Sequence, residues 1–376
     1  MKGYFRKRGE KWSFTLDIGR DHETGKRKQK TMSGFKTKKE AEKACAELIL
    51  KIENGSYQAY SKDSFAEFMK QFMEMQKQSV RATTLETQTF MLEKHLLPAF
   101  GPILLRDIKP HHIQKFYTDK LEAGLSGSYV HTIHCLLNKA LRIAYEWGLI
   151  EKNVATLVKP PRKSSKEMKV WNIDQIQHFL EVTKECRFHL AYLLGIWTGM
   201  RRGEILGLRW QDVDIENGIL SVRQTIYRGA HKLIIQEPKT KGSRRTITFP
   251  TSVSTALRRH KLRQQEVKLR MGTRHQEHDL VIAHDIGTPV DPSELTRWFK
   301  HWTKKAELPS IRFHDLRHTH ATILMQLGEN PKIISERLGH NNISITLDTY
   351  SHVLPNMQRD LANKLEATLQ KRPSSS

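Results

Sequence analysis

Three patterns of apolar and polar positions follow one another along the chain, and the first spans residues 1–58. Positions 12–18 alternate between apolar and polar residues, which predicts a strand with partner strands before and after it. The capping-box spacing from Thr37 to Glu40 then opens a helix with one apolar face, and Asn54-Gly55 ends it. We therefore expect a small three-stranded sheet covered by one helix.

The second pattern, over residues 62–158, has helical periodicity alone. A capping-box start at Ser64 is followed by apolar residues at the spacing of one helix face, beginning with Phe65 and Phe68. Prolines and glycines separate the further helical stretches, so this block is predicted to be an all-helical domain. Residues 159–167 pair two prolines with a Ser/Lys run, which indicates a basic linker.

The third pattern covers residues 168–376 and is mainly helical. A hairpin turn at 214–218, followed by alternation at 219–227, 233–237 and 245–249, predicts the strands of one small antiparallel sheet. The expected fold class is therefore multidomain α+β. It combines a three-stranded sheet plus helix, an all-helical domain, and a mainly helical domain with a small antiparallel sheet.

The charge of the chain indicates which class of partner these blocks bind. The chain holds 63 Lys and Arg residues against 40 Asp and Glu, a formal net charge of +23. A surface this basic attracts polyanions over long range, and DNA is the densest common one. The alternative is a solvated basic face without a nucleic-acid partner.

Two exclusions narrow the setting. No apolar run approaches the roughly 20 residues of a membrane span, and the N-terminus lacks the apolar stretch of a secretory signal. Cys45, Cys135 and Cys186 are widely spaced and odd in number. This spacing argues against a disulfide framework or a structural zinc site, and it fits a reducing cytoplasm.

Six polar residues of the third block suggest a site for phosphodiester chemistry. In chain order they are Arg201, Lys239, His314, Arg317, His340 and Tyr350. Arginine binds two phosphate oxygens at once and stays charged. Arg201 falls at a predicted helix start, and Arg317 lies one helical turn after His314, so both can face one site.

The remaining members suggest proton transfer and nucleophilic attack. Lys239 falls in a turn between two predicted strands, where it could protonate a leaving oxygen. Tyr350 is the candidate nucleophile. Because a phenol has a pKa near 10, it needs a base, for which His314 is a candidate, and strong local positive charge.

A metal site is the competing interpretation of the histidines. His314, His318 and His320 could imitate zinc ligands. Their spacing lacks the glutamate of the zincins, however, and Arg317 places a cation between the would-be ligands. There is also no Walker A pattern and no GxGxxG. We therefore expect neither a metal nor a cofactor.

Taken together, these residues resemble the active site of the tyrosine recombinases of the phage-lambda-integrase type. The stretches that match the family's boxes are Thr198-Gly-Met-Arg-Arg-Gly-Glu-Ile-Leu-Gly-Leu208, His314-Asp-Leu-Arg-His-Thr319, Leu338-Gly-His340 and Asp348-Thr-Tyr350. Each box alone is a weak signal, whereas their order and spacing together are specific. The order of the three blocks extends the resemblance over nearly the whole chain.

The resemblance implies a reaction. Tyr350 would attack the scissile phosphate to form a 3′-phosphotyrosine and release a 5′ hydroxyl, which then attacks the partner strand without ATP or metal. The resemblance implies that Arg201, Arg317 and His340 hold the phosphate. Lys239 would then be the acid and His314 the base, and the neighbouring Glu204 would orient other groups rather than react.

The resemblance also implies domain roles. Residues 1–58 would be an arm-type DNA-binding domain, 62–158 a helical core-binding domain, 159–167 the linker, and 168–376 the catalytic domain with a C-terminal tail. The amphipathic stretch 360–369 could dock on a neighbouring protomer or pack on its own domain.

Its implied partners and setting follow from the same family. The protein would be a homotetramer on double-stranded DNA with core and arm attachment sites, aided by a host DNA-bending protein and an excision factor. It would act in the cytoplasm of a bacterial host, at the nucleoid. There it would integrate and excise a prophage or an integrative conjugative element of Gram-positive bacteria.

Three alternatives remain. A Xer-like resolvase shares the chemistry but is shorter and lacks the first block. A type IB topoisomerase shares the residues but acts as a monomer. A DNA-binding architectural or regulatory protein without catalysis is the alternative from another class, and the occupation of every catalytic position argues against it.

Overall fold

In this computed structural model, the described residues are 3–20, 27–53, 62–162, 168–229, 232–237, 244–340, 342–350 and 366. The chain divides into two compact units, Met1–Ser165 and Lys166–Ser376. Within the described residues, no helix is both long and apolar enough to cross a membrane.

The first unit begins with the predicted sheet and helix, which the structure confirms. Strands β1 (Gly3–Arg8), β2 (Lys11–Arg20) and β3 (Arg27–Phe35) pair antiparallel in that order, and helix α1 (Lys38–Glu53) follows them. A small core joins the sheet to the helix; it consists of Phe14, Leu16, Ala41, Cys45 and Leu48.

The start of α1 has the predicted capping contacts. The Glu40 amide donates to Thr37 Oγ1 at 3.2 Å, and the Lys36 amide donates to the Glu40 carboxylate at 2.9 Å. These contacts satisfy amides that the first helical turn cannot use. The predicted helix end at Asn54-Gly55 lies outside the described residues.

The rest of the first unit is helical, as predicted. Its helices are α2 (Phe65–Ser79), α3 (Ala82–Met91), α4 (Leu97–Phe100), α5 (Pro110–Glu122) and α6 (Gly127–Glu146). Short 3₁₀ turns lie at Leu105–Asp107 and Val154–Leu157.

A π turn at Leu92–Leu96 joins α3 to α4. Pro98 follows at the start of α4 and has no amide hydrogen to donate to the preceding turn. The capping box predicted at Ser64 forms, and Phe65, Phe68 and Phe72 are fully buried.

The second unit combines eight described helices with five short strands. The helices are α7 (Ile173–Val182), α8 (His189–Thr198), α9 (Arg202–Leu206), α10 (Thr251–Met271), α11 (Pro292–Lys305), α12 (Asp315–Gln326), α13 (Pro331–Leu338) and α14 (Ile343–Tyr350). The strands are β4 (Val213–Asp214), β5 (Ile219–Val222), β6 (Thr225–Arg228), β7 (Leu233–Gln236) and β8 (Arg245–Thr248).

These strands form two sheets where the sequence predicted one. β4, β5 and β8 form the first sheet, and β6 pairs with β7 in the second, so the predicted strand 219–227 is split. The reason is tertiary: β6 packs against α9 so closely that a Cβ at Gly203 would lie 2.5 Å from Thr225 Oγ1. The chain therefore leaves the first sheet to meet the helix.

An aromatic cluster forms part of the core of the second unit. Trp171, Phe179, Tyr192 and Phe299 pack with ring centroids between 4.9 and 5.7 Å apart. The Trp171 indole donates to the Pro309 carbonyl at 2.9 Å, so the buried ring has its polar group satisfied. This core fixes the helices that carry the candidate site.

We predict that stability falls in mild acid because of buried histidines in the helical part of the first unit. His134 hydrogen-bonds the Tyr117 hydroxyl, and burial, followed by the charge of His131, lowers the pKa of His134. Unfolding returns this pKa to its ordinary value, so the unfolded chain binds more protons once the pH falls below about 6.5. Urea unfolding at about pH 7.5 and about pH 5.5 should therefore give a lower free energy of unfolding at the acid pH.

A His134→Asn variant is the matched test, since it removes the titrating group while keeping a polar side chain. Its loss of stability between the two pH values should be smaller than that of the unchanged protein. An equal loss in both proteins would contradict the assignment to His134.

Candidate active site

Arg201 is placed by a glycine turn between α8 and α9. α8 ends at Gly199, which has the left-handed φ of 64°, and a Cβ there would lie 2.7 Å from Leu338 Cδ2. Arg201 then stands at the N-cap of α9, the helix start that the sequence predicted. Its amide donates to Glu204 Oε2 at 2.9 Å, so a carboxylate of the chain already uses this donor. Arg201 can therefore bind an anion through its side chain but not through this amide.

Helix α12 carries His314 and Arg317. His314 is the N-cap residue and is exposed, whereas Arg317 is 2% exposed. Arg317 NH1 donates to the Gly199 carbonyl at 2.8 Å, which ties α12 to the turn just before Arg201. The two residues lie one turn apart on the same helix, as their spacing predicts.

His340 follows the C-terminus of α13. Gly339 ends that helix with a φ of 69°, and the His340 amide donates back to the Ser335 carbonyl at 3.0 Å. The imidazole Nδ1 lies 2.7 Å from Thr346 Oγ1. Arg201 NH2 donates to the Gly339 carbonyl at 3.4 Å, so His340 adjoins a direct contact of Arg201.

The pKa values of the two histidines reflect the nearby charges of Arg201 and Arg317. Desolvation first, and then the positive charges of His318, Arg317 and Arg201, lower the pKa of His314 to about 4. Desolvation followed by Arg317 and Arg201 lowers the pKa of His340 to about 4 as well. Both imidazoles are neutral at pH 7 and able to accept a proton.

The other two predicted residues are described less fully. Lys239 lies outside the described residues, in the segment between β7 and β8. Tyr350 is the last residue of α14, a helix that packs against α12 and α13. Its side chain is not among those described. The structure therefore brings together Arg201, His314, Arg317 and His340.

Two buried ion-pair partners lie at this site: Glu204, to which the resemblance gave an orienting role, and Arg245, which the sequence analysis did not select. Glu204 is 4% exposed, and its carboxylate accepts from Arg201 NH1 at 2.8 Å. Arg245 donates to the same carboxylate through NH2 at 2.9 Å and NH1 at 3.2 Å. Burial by itself raises the pKa of Glu204, but Arg245 and then Arg201 outweigh it and hold that pKa below its usual range.

A signal for Arg245 was present in the sequence. Arg245 lies two positions before Ile247 on β8, so the two side chains share one face of the strand. Because Ile247 is 1% exposed, the arginine occupies an inward-facing position. A charge at such a position requires a buried partner.

Arg337 was not selected by the sequence analysis, and the sequence contains no comparable signal for it. Its NH2 donates to the carbonyls of Trp197 and Thr248 at 3.0 Å each, and its Nε donates to His320 Nε2 at 3.1 Å. His320, which the sequence analysis considered as a possible zinc ligand, thus accepts a hydrogen bond from Arg337. Among the described residues, no group of three or more His, Cys, Asp or Glu could hold a metal ion.

Comparison with known proteins identifies three matching domain families. Residues 166–357, more than half of the chain, match the phage integrase family. Residues 4–52 match an arm DNA-binding domain, and residues 64–121 match the N-terminal SAM-like domain of phage integrases.

Whole-chain relatives agree with these matches. A protein named tyrosine recombinase XerC-like, from Caldanaerobacter subterraneus subsp. tengcongensis, is 31% identical over 96% of this chain and 97% of its own length. The ICEBs1 integrase of Bacillus subtilis is 28% identical over 96% of this chain and 99% of its own.

A solved structure of the Tn1549 transposon integrase in complex with circular intermediate DNA has the same fold. It superposes with a TM-score of 0.66 at 21% identity and covers 81% of this chain and all of that one. The family match, the relatives and the fold agree with one another. The chain belongs to the phage integrase family and is a tyrosine-type site-specific recombinase.

Proposed function

We propose that this recombinase cleaves and rejoins DNA through Tyr350. The observation that carries the proposal is the convergence of Arg201, Arg317, His314 and His340, which come from three separate segments of the second unit. Two guanidinium groups beside two neutral imidazoles suit a pentavalent phosphate better than a neutral ligand. The guanidiniums neutralise non-bridging oxygens, and the imidazoles exchange protons or donate hydrogen bonds.

The proposed step balances in atoms and charge. The Tyr350 oxygen forms a bond to phosphorus while the bond from phosphorus to the 5′ oxygen breaks, which leaves a 3′-phosphotyrosine. The phenolic proton passes to His314, and Lys239 gives a proton to the 5′ oxygen. Arg201, Arg317 and His340 bind the phosphate oxygens throughout. Attack by a 5′ hydroxyl of the partner strand reverses the step, so no external energy source is needed.

We further propose the domain roles that the resemblance implied. Residues 1–58 bind arm-type DNA sites, residues 62–158 bind the core site, 159–167 form the linker, and 168–376 carry the catalysis. The net charge of +23 supports contact with DNA phosphates over much of the chain. The match of residues 4–52 to an arm DNA-binding domain supports the first of these roles.

The biological setting is proposed on the same grounds. The protein integrates and excises a prophage or an integrative conjugative element, acting as a homotetramer on two DNA duplexes in the bacterial cytoplasm, at the nucleoid. A host DNA-bending protein and an excision factor assist it. Similarity to the ICEBs1 integrase over nearly the whole chain supports a mobile-element setting.

Replacing the nucleophile should abolish covalent DNA binding. A suicide substrate, nicked near the core site found at the junctions of the source element, traps the 3′-phosphotyrosine. The unchanged protein should give a covalent protein–DNA band on a denaturing gel, and Tyr350→Phe should give none, because the phenyl ring has no oxygen to attack. Native gel shifts with both proteins control for DNA binding. Tight binding without a covalent band in the unchanged protein would favour the non-catalytic DNA-binding alternative.

The role of Lys239 is testable through the leaving group. Lys239→Ala should slow cleavage of ordinary DNA by about 100-fold or more, as expected for loss of a general acid. A substrate with sulfur in place of the bridging 5′ oxygen should be cleaved at nearly the unchanged rate, because a thiolate leaves without a proton. An equal defect on both substrates would assign Lys239 to phosphate binding instead.

The low pKa values of the two histidines predict a broad pH range of cleavage. With both pKa values near 4, His314 and His340 stay neutral well below pH 6.5, so the single-turnover rate should not lose its base in mild acid. Rates measured with saturating enzyme from about pH 8 to about pH 5 should show no acid limb centred near the ordinary histidine pKa. A limb centred near 6.5 that disappears in His314→Asn would contradict the assignment.

A further inference from the structure

We propose that Arg245 is a positioning residue for phosphate binding by Arg201 and His340, acting through the buried Glu204 carboxylate and the carbonyl of Arg337. This inference rests on the phosphate-binding role proposed above. It assigns Arg245 a part in the reaction through Glu204 and the Arg337 carbonyl, neither of which belongs to the six candidate residues.

The first step of the argument is the geometry around Glu204. Its carboxylate lies between two guanidiniums, with Arg201 NH1 at 2.8 Å on one side and the fork of Arg245 at 2.9 and 3.2 Å on the other. Both members of the Arg245–Glu204 pair are nearly inaccessible, with side-chain exposures of 6% and 4%. Arg201 remains partly open, at 37%. The pair therefore forms a buried support for Arg201, whose side chain extends towards solvent.

The second step is the charge balance. A carboxylate paired with Arg201 alone would cancel most of the field that Arg201 exerts on a phosphate. With Arg245 as a second partner, one negative charge is shared by two positive ones, and the three groups together keep a charge of +1. Glu204 can then hold the guanidinium of Arg201 in place without neutralising it.

The third step connects Arg245 to His340. Arg245 Nε donates to the Arg337 carbonyl at 2.7 Å, three residues before His340. The Arg337 side chain in turn donates to the Thr248 carbonyl at the end of β8, so β8 and the end of α13 are joined in both directions. Arg201 contacts the same helix end through the Gly339 carbonyl. A single side chain of β8 thus holds the supports of both Arg201 and His340.

The test separates positioning from DNA binding and from mere stability. It compares the unchanged protein with R245Q, R245K and the double variant R245Q/E204Q. For each, a gel shift gives the Kd for core-site DNA, and single-turnover cleavage of the suicide substrate at saturating enzyme gives the rate. Thermal unfolding shows that each variant is folded.

We expect R245Q to slow cleavage by about 100-fold, the cost of a small misplacement of reacting groups. Its Kd should change less than about threefold, because affinity is spread over many phosphate contacts. R245K restores the charge without the fork and should recover part of the rate. The double variant should cleave faster than R245Q, because removing the Glu204 charge frees Arg201 from neutralisation.

The double variant also keeps the inference testable if R245Q does not fold. It removes the carboxylate together with its bidentate partner, whereas R245Q leaves the buried Glu204 carboxylate with Arg201 as its remaining described partner. A purely structural role predicts that each folded variant cleaves at the rate of the unchanged protein, whatever its thermal stability. Three results would overturn the inference. The folded double variant could cleave no faster than folded R245Q, R245Q could cleave at the rate of the unchanged protein, or the rate of R245Q could fall only in step with its Kd.

Arg258 and Glu216 provide a matched control. They form an arginine–glutamate ion pair at 2.7 Å with side-chain exposures of 47% and 79%. R258Q and R258Q/E216Q make the same chemical changes at the surface, where an ion pair contributes little. We expect both to cleave like the unchanged protein.

The experiment also distinguishes the two levels of the argument. An unchanged protein that forms no covalent complex refutes the proposed function, and this inference with it. An unchanged protein that cleaves DNA while R245Q matches it refutes the role of Arg245 alone.

Discussion

The site concentrates like charges that repel one another, and the structure around it is arranged to hold them. Neighbouring acceptor groups hold four arginines here: Arg201, Arg245, Arg317 and Arg337. The first two share the Glu204 carboxylate. One carboxylate cannot balance four guanidiniums. Backbone carbonyls contribute further compensation, because they accept from the arginines without carrying a full charge. The positive field that a phosphate requires is therefore kept, while each arginine is fixed in direction.

Most of these carbonyls come from two helix ends. Trp197 and Gly199 lie at the C-terminus of α8, and Arg337 and Gly339 lie at the C-terminus of α13. The last carbonyls of a helix have no partner within it, and they carry the negative end of the helix dipole. Arginines that would repel one another in solution thus cap two helix ends. The left-handed glycines at 199 and 339 allow both helices to end abruptly at the site.

Local sequence patterns predicted the elements well, because the forces that define them are local. The capping boxes at Thr37 and Ser64 and the apolar face of α2 depend on residues within a few positions of each other. The division of the strands into two sheets was not predicted, because it depends on the close contact of Gly203 with β6, which a strand pattern does not contain. Similarly, motif spacing selected Arg201, His314, Arg317 and His340, which the structure brings together. Arg337 acts through backbone carbonyls distant in sequence, and such acceptors leave no mark on composition. Arg245 lies at an inward-facing strand position, but its partner Glu204 is 41 residues away in sequence.

The same electrostatics divides the chemistry between two residue types. A guanidinium keeps its proton even among other cations, whereas an imidazole that is desolvated in that field loses it. The pKa values of His314 and His340, both near 4, express this difference. Arginine therefore supplies the charge that holds a phosphate, and histidine supplies a neutral nitrogen for proton transfer or hydrogen bonding. In a site built from histidines alone, each protonated imidazole would lower the pKa of its neighbours, so the site would lose positive charge. With arginines fixed by helix ends and a shared carboxylate, the histidines stay neutral without any dedicated base to deprotonate them. Desolvation and the fixed arginines together thus keep the two imidazoles neutral beside permanent positive charge.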